Sequence, residues 1–237
     1  MARAKSKPVL LISILDPTGQ EGLVRGAIVL NQFNKESLSV CTAIAHQNDI
    51  EIDNITWLSF EEIKRQLDAI GRRYWIDWVI LSGIEDLNIA SHVVAYLQRS
   101  CPGIKILWSP SVDKGEKDKA FNTQELALFQ TITQGVFLTV CPVYYLKNAL
   151  ASQDIEALKK QLPEQSNFLL TNYTENQGAV VMTQNKTAIR PLSRSTAPAP
   201  LHYAPLLAAL AAFLYEGLET EEACHRAFNF WESYPIN

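Results

Sequence analysis

PVLLISILDPTGQEG, residues 8–22, is the stretch whose reading decides the fold. From Pro8 to Ile14 it is an apolar run of strand length, lacking the polar alternation of a strand with one wet face. Asp16-Pro17-Thr18-Gly19 then marks a turn. Residues 20–33 follow with Leu23, Ala27, Ile28 and Leu30 on the apolar side of a helix. Strand, loop and helix succeed one another without a break.

The same alternation continues outward. SVCTAIAH (39–46) reads as a second strand ending at Gln47-Asn48-Asp49, and a short ITW piece follows. Ser59 caps a helix in which Glu62 completes a capping box and Phe60, Ile63, Leu67 and Ile70 recur at helical spacing. WIDWVILSGI (75–84) is the next strand, then a helix at 88–99 and the strand IKILW (104–108). Residues 111–123, with Asp113, Lys114, Gly115, Glu116, Lys117, Asp118 and Lys119, form a polar connection of the kind that is either simply solvated or laid over a site. A helix at 124–133, the strand VFLTV (136–140), helices at 143–160 and the strand FLLTN (168–172) follow. GAVVMT (178–183) and KTAIRPL (186–192) read as a hairpin across Gln184-Asn185, and two helices at 205–217 and 219–231 end the chain.

This pattern implies an α/β protein of three α/β/α layers, with a mostly parallel central sheet covered by helices on both faces. The whole of residues 1–237 is expected to be a single domain, with 1–7 as an N-terminal tail. Ligands of such sheets sit beyond the C-terminal strand ends. The segments after residues 15, 46, 83, 109 and 141, with the start of the helix at 205, are therefore expected to converge.

Composition narrows the partners. A net charge of −4 leaves no basic footprint for nucleic acid, the only basic run being Arg3, Lys5 and Lys7. No apolar run reaches the length of a membrane span or follows the layout of a secretory leader, so a cytoplasmic protein is expected. Four scattered cysteines (Cys41, Cys101, Cys141, Cys224) and four scattered histidines (His46, His92, His202, His225) lack zinc-ligand spacing, so reduced thiols and no metal site are expected.

Asp16-Pro17-Thr18-Gly19 with Gly22, and Thr42-Ala43 with Gln47-Asn48, resemble the AGSDPSGGAG and TAxxAQN openings of the hydroxymethylpyrimidine and phosphomethylpyrimidine kinases of thiamin biosynthesis, a ribokinase-like family. The resemblance continues at Gly83, where LSGIE stands for KIGML, at Pro110, where SPSV stands for DPVM, and in ALAAFLYEGLETEEACHRAF from residue 208, which resembles the family's final helix pair. It implies an ATP- and magnesium-dependent kinase acting on a pyrimidine alcohol or its monophosphate, commonly as a homodimer. Asp16, Gly19, Gln47 and Gly83 would then be substrate-binding residues, Gln47 pairing with the pyrimidine edge. His46 and the five tryptophans are read instead as ordinary strand-end, core or interface residues.

One stretch departs from the resemblance where the chemistry should be. TAPAPLHYAPLLAALAAFLYEG (196–217) supplies an almost uncharged helix whose family counterpart starts with a GTGC or GTGD turn that holds the transferred phosphoryl group. Aligned from Gly217, that turn falls on Leu201, His202, Tyr203 and Ala204. Leu201 and Tyr203 replace the glycines, Ala204 replaces the catalytic Cys or Asp, and Pro205 brings no N–H. The family TPN element falls on Cys141-Pro142-Val143 with no carboxylate before Asp154. The KGG strand end falls on Thr171-Asn172-Tyr173, the KIGML lysine on Leu81 and the DPVM aspartate on Ser109. Gly26 stands at an acidic position. No catalytic residue is assigned, and three readings are open: a degenerate kinase fold binding a pyrimidine-like small molecule without phosphotransfer, an active kinase drawing donors from elsewhere such as residues 193–200, and an interaction protein whose pocket is filled by Leu201, Tyr203 and Leu206.

Overall fold

The computed structural model describes residues 7–48, 51–111, 120–151, 157, 160–173, 178–183, 186–190 and 203–234. In chain order these form β1 (Val9–Leu15), α1 (Gly22–Gln32), β2 (Ser37–Gln47), β3 (Ile52–Trp57), α2 (Phe60–Gly71), β4 (Trp78–Leu81), α3 (Leu87–Ser100), β5 (Lys105–Trp108), α4 (Thr123–Gly135), β6 (Leu138–Pro142), α5 (Val143–Ala149), β7 (Phe168–Tyr173), β8 (Gly178–Thr183), β9 (Lys186–Arg190), α6 (Tyr203–Tyr215) and α7 (Thr220–Ser233). The strands make one sheet in the order β3-β2-β1-β4-β5-β6-β7-β8-β9. From β2 to β7 every pairing is parallel, while β3 at one edge and β8 and β9 at the other are antiparallel.

Burial along β1 shows how the layers form. Leu10 and Ile12 join a cluster with Ile63 and Leu67 of α2, Val93 and Leu97 of α3, Phe129 of α4 and Leu146 of α5. Val9 and Leu11 point the other way, into Leu23 and Leu30 of α1, the apolar run of α6, and Ala223 and Phe228 of α7. Both faces of the strand are therefore dry, which is why its sequence shows no polar alternation.

Helices α2 and α4 start where short-range hydrogen bonds stop the preceding loop. Ser59 and Glu62 form the expected capping box on α2, and Asn122 and Glu125 form a second on α4. Thirteen residues long, α6 buries ten of them, its many alanines letting neighbours approach on several sides.

Several sequence expectations are corrected. The ITW piece belongs to the edge strand β3, which pairs with β2. Strand β4 covers only Trp78–Leu81, because Gly83 turns the chain at φ +60°. On α1 the buried face is Leu23, Gly26, Val29 and Leu30, and Ile28 is 44% exposed. The missing side chain explains it: a Cβ on Gly26 would lie 3.2 Å from Leu11 Cδ2, so the helix rests on the strand along its glycine line. Helix α6 begins at Tyr203, two residues before Pro205; a proline in the first turn has no intrahelical N–H bond to lose. Of the helices expected at 143–160, α5 closes at Ala149, ahead of Ala151 at φ +49°, and residues 152–156, 158 and 159 lie outside the described residues.

Candidate functional site

Asp16, immediately after β1, organises the C-terminal edge of the sheet. It is 2% exposed, yet its carboxylate is saturated with donors. Oδ1 accepts the Thr18 N–H at 2.9 Å, the Thr18 hydroxyl at 2.8 Å and the Gln47 side-chain amide at 2.6 Å. Oδ2 accepts the N–H groups of Gln20 at 3.1 Å and Glu21 at 2.9 Å. Burial alone would raise its pKa, but the Thr18, Gln47 and Glu21 donors outweigh it and hold the carboxyl below its ordinary value. The loop is thereby wrapped around a fixed negative charge. Gly19 takes φ +69° within it, and its carbonyl accepts a hydrogen bond from Arg25 Nε at 2.8 Å.

The ends of β2 and β4 are tied to this loop. Gln47 is half-buried and commits its amide to Asp16. The Thr42 hydroxyl donates to the Gly83 carbonyl, and the Ser82 hydroxyl donates to Ser13 Oγ at 2.9 Å. Glycine is required at position 83 on two counts: φ is positive, and a Cβ would sit 2.6 Å from Ile14 Cγ1 and 2.9 Å from Ile14 N. His46 is exposed and pairs with Thr56 Oγ1 at 2.9 Å across the β2–β3 ribbon. Of the tryptophans, Trp78 and Trp108 lie in the core at 6% and 1% exposure, whereas Trp75 is 63% exposed.

The third component is the first turn of α6. Tyr203 places its hydroxyl 2.6 Å from Thr171 Oγ1 at the end of β7. Burial, reinforced by Cys141, Tyr144 and Glu21 against the opposing Thr171 bond, pushes this phenol far above its ordinary pKa. The N–H of Ala204 donates to Glu21 Oε2 at 3.3 Å. Pro205 has no N–H to offer. Burial also pushes the Cys141 thiol high and raises Tyr144, so neither is a ready proton acceptor near neutral pH.

Part of the expected convergence is visible in a chain of contacts that leaves out the segment after residue 109: Gln47 to Asp16, Asp16 to Glu21, Glu21 to Ala204, Tyr203 to Thr171, with Thr171 in register beside Pro142 of β6. All four nominated residues, Asp16, Gly19, Gln47 and Gly83, lie on this edge, each also holding the edge together. Ser109 is buried at 5% exposure at the end of β5. Leu201, His202, residues 191–200, Asp154, Gln184-Asn185, Asp49, residues 112–119 and the basic run before Lys7 lie outside the described residues. Among the described residues no group of three or more His, Cys, Asp or Glu side chains is placed to hold a metal ion, and no helix is long and apolar enough to cross a membrane. All four cysteines are free thiols.

Sequence reasoning missed Glu21. Its signal was that it stands where the AGSDPSGGAG opening carries alanine, a long acidic side chain in place of a methyl group.

No family model matches the chain, and no curated protein sequence is significantly similar to it. Solved structures do share its fold. Phosphomethylpyrimidine kinase from Clostridium difficile 630 superposes with a TM-score of 0.76 at 15% identity, covering 96% of this chain and 100% of the other. The pyridoxal kinase of Bacillus subtilis, in an ADP complex, gives 0.77 at 13% identity with 98% and 94% covered. Pyridoxal kinase from Staphylococcus aureus, in complex with pyridoxal, gives 0.77 at 14% identity with 98% and 90% covered. These identities speak to architecture, and the architecture is the ribokinase-like three-layer α/β/α fold.

Proposed function

We propose that this ribokinase-like chain binds a small pyrimidine-like ring compound at the C-terminal ends of β1, β2 and β4 and transfers no phosphoryl group to it. The observation that carries the reading is the first turn of α6. Phosphoryl transfer needs donors for the charge on the transferred group and a group that takes the alcohol proton. Here Ala204 has no ionisable side chain, Pro205 has no N–H, and the Ala204 N–H is used by Glu21. The Tyr203 hydroxyl is bound to Thr171, and its raised pKa keeps it protonated. Ligand binding is supported by the other end of the site, where three strand ends are fastened into one frame by Asp16, Gln47, Thr42 and Gly83.

Thermal unfolding with added ligand tests this, since whatever binds the folded state raises its stability. Hydroxymethylpyrimidine is expected to raise the melting temperature, and ATP with magnesium to leave it unchanged. Turnover of ATP with that compound at about 1 s⁻¹ or faster, the ordinary range of kinases, overturns the proposal. Stabilisation by neither ligand overturns it in the other direction, in favour of an interaction protein.

A further inference from the structure

We infer that the protein holds a second small-molecule site, between α2 and α3 at the N-terminal end of the strands, which takes an uncharged aromatic ring bearing an N–H or O–H donor. The inference is independent of what binds beside Asp16, because the two places lie at opposite ends of β1. A helix that leads into a parallel strand ends where that strand begins. Gly71 at the end of α2, and Ser100 and Cys101 at the end of α3, therefore meet Leu10 of β1, with Ile76 and Ile104 just ahead of β4 and β5. Together they line a cleft of about 350 Å³, near the lower end of the ~300–1,000 Å³ range of ligand pockets and suited to one small ring system.

The cleft is apolar at its base and open at its mouth. Leu10, Leu67, Ile76 and Leu97 form the base, and all four belong to the core cluster on this face of the sheet. An apolar ring seated there leaves water for a surface already packed and dry on its far side. At the mouth, Gly71 contributes no side chain, and nothing lies within 4 Å of the place its Cβ would take. The end of α2 thus leaves room for a ligand to enter.

One wall is polar, and it is rich in acceptors. Asp68 takes the Tyr96 hydroxyl on Oδ1 and Lys64 Nζ on Oδ2 at 2.9 Å, and these donors hold its carboxyl below the ordinary value. An ionised carboxylate has about four acceptor positions, so two such bonds leave capacity for a donor on a ligand. Gly71 and Ser100 are the last residues of α2 and α3, where helix carbonyls lack intrahelical partners and carry partial negative charge. Those carbonyls and Asp68 disfavour an anion. A cation gains little, because Lys64 already balances Asp68 and lies 5.6 Å from the Tyr96 ring centre. Arg72 also borders the cleft, but it is exposed and solvent screens its charge. What remains favoured is a neutral ring with a hydrogen to donate.

Cys101 supplies the reporter, since its thiol lines the cleft and is half-buried, as is that of Cys41 on β2, which does not line it. The full chain is alkylated with iodoacetamide and the rate at each cysteine read by peptide mass spectrometry. Burial raises the Cys101 pKa, so a mildly alkaline buffer is used. The probes are indole and phenol, with toluene as the ring without a donor and benzoate as the anion. Near saturation, indole or phenol is expected to slow Cys101 at least about fivefold and to leave Cys41 unchanged. Toluene and benzoate at the same concentration are expected to protect far less. Asp68→Asn, which keeps the shape and removes the charge, is expected to need roughly tenfold more indole for the same protection. Failure of both indole and phenol to protect Cys101, or equal slowing of Cys101 and Cys41, overturns the inference. Protection by toluene or benzoate as strong as by indole overturns it too, as does unchanged indole protection in Asp68→Asn. The wild-type comparison decides the matter even if that variant does not fold.

Discussion

At the scale of single residues, the site shows carboxylates serving as frame. Asp16 accepts hydrogen bonds from Thr18, Gln20, Glu21 and Gln47, and its depressed pKa makes the sign of its contribution definite. A group whose folded pKa lies below its unfolded value stabilises the fold above about pH 4, and that stabilisation is lost as pH falls through the folded value. Asp16→Asn is therefore expected to cost about 2 kcal/mol at neutral pH, the range for hydrogen bonds to a charged group. Urea midpoints should also lose part of their decline toward acid in this variant. Tyr203→Phe tests the first turn of α6. It leaves Thr171, 0% exposed, without its hydroxyl partner, and about 1–3 kcal/mol of stability is expected to go with it. Chemical denaturation beside Thr171→Val would show whether the two changes act as one contact, since removing either partner of a pair should make removal of the second nearly free.

At the scale of elements, backbone geometry decides more than helix or strand preference does. Gly22→Ala must push against the Ile14 carbonyl from a positive φ, and loss of several kcal/mol, or failure to fold, is expected. Gly71 closes α2 with nothing within 4 Å of the place an added methyl group would take, so Gly71→Ala is expected to be neutral or to stabilise by about 0.5–1 kcal/mol. Paired urea titrations of the two variants check this. In α6, Leu207 is 0% exposed between the sheet and its helical neighbours, and Leu207→Ala is expected to cost about 2–5 kcal/mol. Legibility in the sequence follows the same division. β1 and α6 were readable because burial on several sides leaves continuous apolar runs, and the Ser59–Glu62 box because both partners sit three residues apart. β3 was not, because an edge strand covered on few sides keeps polar residues such as Asp53 and Asn54. Nor was the Glu21–Ala204 contact, which joins residues 183 positions apart and leaves no local pattern.

At the scale of the whole molecule, neutral groups locked in a dry core set the response to alkali. Burial pushes Cys141, Tyr145 and Tyr203 well above their ordinary values and Cys224 up to about 12. Each therefore stays protonated in the fold at a pH where the unfolded chain already releases its proton. Their stabilisation is complete below about pH 8.5 and declines as pH rises toward the folded values. Urea midpoints are expected to fall between about pH 8 and pH 10.5, and to fall less in a Cys141→Ala, Cys224→Ala double variant. Such a decline would come from the core as a unit, since these side chains lie on both faces of the sheet.

The arrangement of α6 and α7 over β1 also has a consequence for how the chain comes off the ribosome. Val9 and Leu11 are synthesised long before their cover, Leu206 to Leu214 with Phe228. The closing contacts join the same distant parts: Phe33 meets Phe213 and Phe230 edge-on, each at 5.1 Å, and Lys35 reaches Glu216 at 3.2 Å. Until α6 and α7 emerge, then, one side of the nascent strand β1 has only α1 against it and waits with its remaining apolar surface open. A chain released before residue 203 would keep that surface as a sticky end, so early termination should yield aggregates or chaperone-held species in place of a smaller folded protein.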